Sequence, residues 1–381
     1  MSFFRRLFQR HHKSPRTQRH KSAGGVQINT TISDIRFQVE PCPIPILWLD
    51  TSIIFYLTKL RLGTLNDEVQ KERVSRLQKR VCDLTRAGKL LCPRAGQPNE
   101  IWRERSDCLG TIDELSLGIS TRPRAAIEEA QIHQLMTACI AGTRFVTFPY
   151  TDLFIDDPVH RLEMARLSNY GVTIDTPPSV ERIKEIKFQH DTIRTNWERL
   201  RKTCAKRKVT FDQQLEVERS AGMTMTVTMA RDCCSKLMRG EKATPEEISS
   251  FLYVKRLIHT WDRLGGEPKG FEGLVRFCSS QYCQIAPSVS ISSALVAKFV
   301  TEKARNIQPG DYGDVEHISS ILPYANLMII DKSMKSIVQG LDLDKNYGVT
   351  VCYIGDDTII EDFFETVGKS TPYHSSFPPV G

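Results

Sequence analysis

Two short apolar runs, far apart in the chain, each lead into an aspartate. Residues 44–49 are apolar almost throughout and end at Asp50, and residues 327–330 end at Asp331. An apolar run of this length without polar alternation is typical of a parallel strand that is covered on both faces. Because ligands collect at the carboxyl ends of the strands in such sheets, the pattern predicts a site at one edge of a parallel α/β sheet.

A third acid precedes the second apolar run. Asp314 lies 17 positions before Asp331, and the segment between them is long enough for a helix, with apolar positions at Val315, Ile318 and Leu322. These positions would dock the helix on the sheet, so Asp314 in its first turn would point towards the same edge. Two unit charges ~4 Å apart cost on the order of 4 kcal/mol at an effective dielectric of 20, so the acids need protons or a divalent cation.

The residue types near these acids indicate which metal ion they would bind and which reaction that ion would support. Carboxylate oxygens without a nearby histidine or cysteine favour Mg²⁺ or Mn²⁺ over zinc. Such ions suit phosphodiester hydrolysis, because they lower the pKa of a bound water and neutralise charge on the phosphate. The Gly-x-Gly-x-x-Gly, Walker, His-Glu-x-x-His and Gly-x-Ser-x-Gly patterns are missing from the sequence, which weakens the dinucleotide, NTPase, metalloprotease and esterase interpretations.

Two sequence blocks resemble a known family. Trp48-Leu-Asp-Thr-Ser-Ile-Ile54 resembles the first strand of the PIN-domain nucleases and the wider PIN-like families, in which an aspartate is followed by a small hydroxyl residue. Gly313-Asp-Val-Glu-His317, with the following Leu-Pro-Tyr and the strand-end aspartate, is similar to the closing motif of bacterial PIN-like proteins. The resemblance implies a PIN-like parallel-sheet α/β/α core that is split by a large, mainly helical insertion.

The resemblance also implies a set of ligands for Mg²⁺ or Mn²⁺. Asp50, Asp314 and Asp331 would be three of them, and the acid that the family supplies after its second strand falls on Glu100 in preference to Glu104. Each has a plain structural alternative, as a helix N-cap for the aspartates and as a solvated helix residue for the glutamate. Where the family often has an aspartate after Pro-Tyr-Ala, this chain has Asn326, which puts one outer ligand in doubt.

Three neighbours of the acids are candidate supporting residues. The Ser52 hydroxyl would orient Asp50 or a metal-bound water, although a residue leaving a strand needs no such role. His317 would contact phosphate or steady the carboxylate one helical turn before it; packing under Tyr324 is the alternative. Lys332 would neutralise phosphate charge, with a simple solvated lysine as the other interpretation.

The net charge of +7 is confined to one end of the chain. Residues 1–33 carry seven Lys or Arg and no acid, which leaves 45 residues of each sign beyond them. We interpret the start as a basic arm that contacts phosphate or an anionic surface; a solubilising tail and an organellar transit peptide are the alternatives.

A second basic run predicts either an electrostatic binding surface for RNA or DNA or a solvated helix face. This run comprises Arg199, Arg201, Lys202, Lys206, Arg207 and Lys208.

Periodicity and turn signals divide the chain into segments. The predicted order is a disordered arm at 1–25, the first part of the core at 26–104, a helical insertion or second lobe at 105–284, the second part of the core at 285–370 and a flexible tail at 371–381. Apolar residues at helical intervals predict helices at 53–60, 68–87 and 180–200. Thr244-Pro-Glu-Glu247 is a capping box that opens another helix. Further strands are predicted at 35–39, 89–93, 144–148 and 349–353.

Cysteine usage and hydropathy indicate the cellular compartment in which the protein is expected. The eleven cysteines are scattered and include no Cys-x-x-Cys pair, which fits a reducing cytoplasm better than a zinc site or a disulfide framework. No stretch approaches the 18 or so apolar residues of a membrane span. These features predict a cytoplasmic protein without a membrane span.

The sequence therefore predicts a metal-dependent nuclease. RNA is the expected substrate, with DNA as the alternative. The preference for RNA, like a toxin or defence role, is implied only by the resemblance. The main rival is a catalytically weak PIN-like binding or scaffold protein that acts through its helical lobe, which would also be the surface for a protein partner or a homo-oligomer. A phosphotransferase or phosphatase with a nucleophilic strand-end aspartate is weaker, because Ser52 stands where a second aspartate is expected.

Overall fold

The computed structural model describes residues 35–95, 106–168, 179–302 and 305–372. Over these ranges the chain is mixed α/β and mostly helical, with two small parallel sheets, as the α/β prediction requires. The predicted basic arm at 1–25, the acids Glu100 and Glu104, and residues 373–381 of the predicted tail lie outside them. The strands are β1 (Arg36–Val39), β2 (Leu47–Leu49), β3 (Phe145–Phe148), β4 (Leu327–Ile329) and β5 (Thr350–Cys352).

Fifteen helices are assigned in the described ranges, besides 3₁₀ turns at Ser106–Cys108 and Tyr150–Leu153. The first eight are α1 (Thr51–Arg61), α2 (Glu68–Arg86), α3 (Leu109–Ser116), α4 (Arg124–Ala141), α5 (Pro158–Ser168), α6 (Val180–Arg207), α7 (Phe211–Met238) and α8 (Pro245–Arg263). The others are α9 (Gly270–Cys278), α10 (Gln281–Gln284), α11 (Pro287–Thr301), α12 (Asp311–Ile321), α13 (Lys332–Gly340), α14 (Leu343–Tyr347) and α15 (Asp357–Lys369).

The larger sheet joins the two distant apolar runs. Its order is β2-β4-β5, all parallel, with Leu47 paired to Leu327 and Leu327 to Thr350. On the other side of β2, Leu91 forms an isolated parallel bridge with Ile46, so the strand predicted at 89–93 is reduced to a single pairing. The residues of β2 and β4 are fully buried, which explains why neither run alternates with polar residues.

Helices cover both faces of this sheet. Trp48 and Met328 point into one hydrophobic cluster, shared with helices α5, α6, α11, α12 and α13. Leu49 and Ile329, next along the strands, point into the opposite cluster, shared with α1, α2, α3 and α15. Because α3, α5 and α6 belong to the predicted insertion at 105–284, that segment contributes directly to the core on both faces of the sheet.

The second sheet lies apart from the first. It consists of β1 and β3, paired in parallel from Arg36 with Phe145 to Val39 with Phe148. One side of the pair packs into a third cluster together with α4, α7, α8 and α9. The strands predicted at 35–39 and 144–148 are therefore confirmed, and each has the other as its partner.

Local signals placed most helix ends correctly. Asp67 caps α2 through a bond from the amide of Gln70, and the capping box of Thr244 and Glu247 opens α8. One prediction was wrong: the helix expected to start at Asp314 starts at Asp311. In the part of the chain that the structure describes, no helix combines the length and the apolarity needed to cross a bilayer.

Candidate functional site

Asp50 ends β2 and caps α1. Its Oδ2 accepts hydrogen bonds from the amide of Ser52 at 3.0 Å and from the Ser52 hydroxyl at 2.5 Å. The carboxylate is only 7 % exposed, so its position is fixed by the strand end and by the first turn of the helix. The hydroxyl contact is the one that an orienting role for Ser52 predicts.

Asp331 occupies the equivalent position at the carboxyl end of the neighbouring strand, β4. It follows β4 and caps α13, its Oδ1 accepting from the amides of Ser333 at 2.7 Å and Met334 at 3.1 Å. Strands β2 and β4 are adjacent and parallel, and the amide of Asp50 donates to the carbonyl of Ile329 at 2.9 Å. Since neighbouring strands lie about 4.8 Å apart, Asp50 and Asp331 stand at the same edge of the sheet.

Arg305 links the third predicted acid to this edge. Its guanidinium donates to both oxygens of Asp311, at 2.7 and 2.5 Å, and to the Ser333 hydroxyl at 3.0 Å, beside the start of α13. The hydrogen bonds to Asp311 raise the pKa of Arg305, and the negative charges of Asp311, Asp314 and Asp331 raise it further. Asp314 and Asp331 therefore act electrostatically on one guanidinium.

The sequence did not single out Arg305 or Asp311. Asp311 is 1 % exposed and also accepts from the amide of Gln308 at 2.7 Å. The sequence Gln308-Pro-Gly-Asp311 is typical of a turn and does not indicate a charge pair. The guanidinium stacks over the ring of Phe299, with 5.1 Å to the ring centre, and so is fixed from two sides.

Carboxylate oxygens are the donors that a hard divalent cation prefers, but the described acids do not by themselves form a metal site. Within residues 35–95, 106–168, 179–302 and 305–372, no group of three or more His, Cys, Asp or Glu has the spacing of a metal site. Glu100 lies outside these ranges. The caps of Asp50 and Asp331 use one oxygen each, and a carboxylate has about four lone-pair positions, so capping and metal ligation are chemically compatible.

Asn326 is at the other end of the strands. Its side-chain oxygen accepts from the amide of Ile46 at 2.8 Å, and its backbone joins Ile46 and Thr350, at the amino ends of β2, β4 and β5. Four residues lie between it and Asp331, so the two are five steps apart, or about 16 Å at 3.3 Å per residue of strand. A side chain at position 326, whether Asn or Asp, is therefore too far from the acids to be an outer ligand.

The two other supporting candidates have ordinary packing partners. His317 is 7 % exposed, and its ring centre lies 5.6 Å from that of Trp48 in β2. The hydroxyl of Tyr324, the neighbour considered in the alternative, accepts a hydrogen bond from the side-chain amide of Gln131 at 3.1 Å. Lys332 is exposed, with its ammonium 5.8 Å from the ring centre of Tyr353.

The basic run divides into two parts. Arg201 is half-buried, and its Nε donates to the carbonyl of Phe299 at 3.0 Å; burial, followed by the charge of Arg305, lowers its pKa. It is therefore committed to holding α6 against α11. The other five side chains are exposed: Arg199, Lys202, Lys206, Arg207 and Lys208.

The site thus rests on geometry and chemistry within this chain. Asp50 and Asp331 share an edge of a parallel sheet, and Arg305 connects Asp314 and Asp331 electrostatically. Comparisons with protein-family models, with curated proteins and with solved structures found no match.

Proposed function

We propose that the chain is a PIN-like, divalent-metal-dependent nuclease that hydrolyses phosphodiester bonds, with RNA as the substrate. The observation that carries the proposal is the shared position of Asp50 and Asp331 at the carboxyl ends of adjacent parallel strands. Ligands gather at this end of a parallel sheet, where successive loops converge. Asp314, in the first turn of α12, supplies the third acid.

Each acid has a defined part in the proposal. Asp50, held by the Ser52 hydroxyl, together with Asp314 and Asp331 would hold Mg²⁺ or Mn²⁺, and Glu100 would complete the set. The bound ion supplies an activated water and neutralises charge on the phosphate. The chain's own contribution is to fix the carboxylates on strand and helix ends, where two caps restrict their rotation.

The exposed part of the basic run is a surface for the phosphate backbone. Arg199, Lys202 and Lys206 recur at intervals of three or four on α6, so they lie along one face of that helix. Such a row attracts nucleic acid without reading its sequence. Lys208 and Arg207 extend it past the end of the helix, whereas Arg201 is excluded by its bonds to Phe299.

The scaffold alternative has a specific observation in its favour. Asp50 and Asp331 both cap helices, and Arg305 already places positive charge near Asp314 and Asp331. Acids that are engaged in this way would stabilise the fold without a cation. Under this alternative the chain binds a partner through its helices and cleaves nothing.

A cleavage assay separates the two functions. Labelled single-stranded RNA and DNA are incubated with Mn²⁺, with EDTA, and with the variants Asp314→Asn and Asp212→Asn. Asp212 is the matched control, since it is an exposed acid in the first turn of α7. The nuclease proposal predicts cleavage that requires Mn²⁺, is lost in Asp314→Asn and is retained in Asp212→Asn. Equal cleavage under all conditions would indicate contamination, and no cleavage at all would favour the scaffold.

A thermal-shift titration tests the cation directly. Binding of Mn²⁺ to the folded state alone raises the unfolding temperature as the ion is added. Asp50→Asn should remove that shift while keeping the fold, because asparagine is as good an N-cap as aspartate. A shift that survives in Asp50→Asn would place the ion elsewhere.

A further inference from the structure

A cavity of about 270 Å³ lies between α12, the start of α4 and the middle of α6. Its polar lining consists chiefly of cationic or titratable side chains contributed by three elements that are distant in sequence. These are Arg122, Arg124, His190, Glu316, His317 and Ser320. None of the four proposed metal ligands lies among its lining residues, although His317, a supporting candidate in the sequence, does.

The two arginines are positioned by the fold. Arg122 is half-buried, and its Nε donates to the carbonyl of Phe154 at 2.6 Å, which uses one of the five N–H donors of a guanidinium. The side chain of Arg124 is 25 % exposed, and its Nε lies 3.9 Å from a carboxylate oxygen of Glu128. Both groups are charged at any physiological pH. The cavity therefore has a permanent source of positive potential.

The histidines are held by aromatic neighbours. The His317 ring packs against Trp48, and the His190 ring lies edge-on to Tyr312 with 5.0 Å between ring centres. These contacts orient the two rings, and both residues line the cavity. An imidazole donates a hydrogen bond in its neutral form and two in its charged form, so it suits an anionic ligand.

One carboxylate offsets part of this charge. Glu316 lines the cavity and accepts a hydrogen bond from the Tyr312 hydroxyl at 2.7 Å. Outside the lining, Glu128 faces Arg124, and Asp152 interacts electrostatically with Arg122. Within the lining itself, two guanidiniums stand against a single carboxylate. The permanent charges of the lining therefore favour an anion.

We propose that this cavity binds a phosphate-bearing small molecule. A planar guanidinium matches phosphate oxygens in a two-point arrangement, which is why arginine recurs in phosphate sites. The volume is slightly below the roughly 300 Å³ at which small-molecule pockets begin, so it accommodates the phosphate and a modest organic group. Ile186 and Ile321 provide the apolar wall for that group. The proposal does not depend on nuclease activity.

Calorimetric titration of the full chain with inorganic phosphate and with uridine 5′-monophosphate tests the site. EDTA is present throughout, so that a metal site at the acids cannot contribute. Wild-type protein should bind at least one probe saturably. Tighter binding of the monophosphate would identify an ester ligand, and equal or tighter binding of inorganic phosphate would identify the free anion. Absence of saturable binding of either probe up to about 10 mM would overturn the proposal.

Two variants locate the binding. Arg124→Gln removes a charged donor and should weaken binding about tenfold or more, since hydrogen bonds to charged groups contribute roughly 1.5–3 kcal/mol. Ala125→Met fills the cavity from an exposed helical position and should have a similar effect. Arg263→Gln, an exposed arginine at the end of α8, is the matched control and should bind like the wild type.

Circular dichroism and the unfolding temperature show whether the variants remain folded. Binding that is unchanged in both Arg124→Gln and Ala125→Met would place the anion elsewhere and overturn the proposal. Binding weakened equally in Arg263→Gln would mean that only overall charge matters, which would also overturn it.

Discussion

Replacing Arg305 by methionine should destabilise the chain, because it leaves a buried carboxylate without its counter-charge. Asp311 is 1 % exposed, and the side chain of Arg305 is 21 % exposed. The pair forms two parallel hydrogen bonds, the geometry in which a guanidinium and a carboxylate interact most strongly. Methionine keeps the apolar part of the side chain but removes the guanidinium, with its charge, its hydrogen bond to Ser333 and its stacking on Phe299.

The expected loss follows from these contacts. Removing one partner of a buried ion pair typically costs about 3–5 kcal/mol. Here the amide of Gln308 still donates to Asp311 at 2.7 Å, and Arg305 is partly solvated, so we expect roughly 2–3 kcal/mol. In the double variant Arg305→Met/Asp311→Asn the buried charge is absent. That variant should lose only about 1 kcal/mol, less than Arg305→Met alone, because no unpaired charge remains buried.

Urea unfolding followed by tryptophan fluorescence measures these differences. Trp197 is a local reporter, since its ring centre lies 5.8 Å from that of Phe299, the ring beneath Arg305. The matched control is Lys345→Met, which breaks a 2.6 Å ion pair whose side chains are 75 and 59 % exposed. That variant should unfold at the wild-type urea concentration, because exposed pairs contribute little. An unchanged midpoint in Arg305→Met, or a double variant that is as strongly destabilised as Arg305→Met, would refute the reasoning.

Three other substitutions test single local features. Burial raises the pKa of Glu218 in the folded chain, so the ionised group costs stability at neutral pH. Glu218→Gln should stabilise the chain at pH 7, and the gain should shrink as the pH falls through the raised folded-state pKa and vanish below the ordinary carboxyl pKa of the unfolded chain. In Gly273→Ala the new Cβ would lie 1.8 Å from the carbonyl oxygen of Pro268, so a loss of roughly 3 kcal/mol is expected in urea unfolding. Thr244→Ala removes the bond to the amide of Glu247 and should cost about 1 kcal/mol in the same assay, with less effect from Thr244→Ser.

Short-range patterns accounted for much of the fold. The apolar runs before Asp50 and Asp331 predicted buried parallel strands, and the structure pairs them side by side. The predicted helices at 68–87 and 180–200 and the capping box at Thr244 also appear. The individual strands, helices and caps depend on residues that are close together in the sequence, so propensity, periodicity and capping are enough to specify them.

The candidate site was predictable only in part. The sequence predicted that three aspartates lie near one sheet edge, and the structure shows this for Asp50 and Asp331. The sequence left open whether these two cap helices. Both do cap helices, through bonds that are local and compatible with either interpretation. The metal-ligand roles of these acids stay predictions, and Glu100 lies outside the described residues.

The sequence by itself determined the strand-end acids, the helical stripes and the caps, because each of these follows from neighbours along the chain. Only the tertiary structure decided that α12 begins at Asp311 and that Arg305 lies beside the acids. It also decided that Arg201 holds two helices together and that the Arg122 and Arg124 side chains meet His317 around a cavity. The physical reason is that a buried charge requires a partner, and packing between distant segments selects which residue provides it.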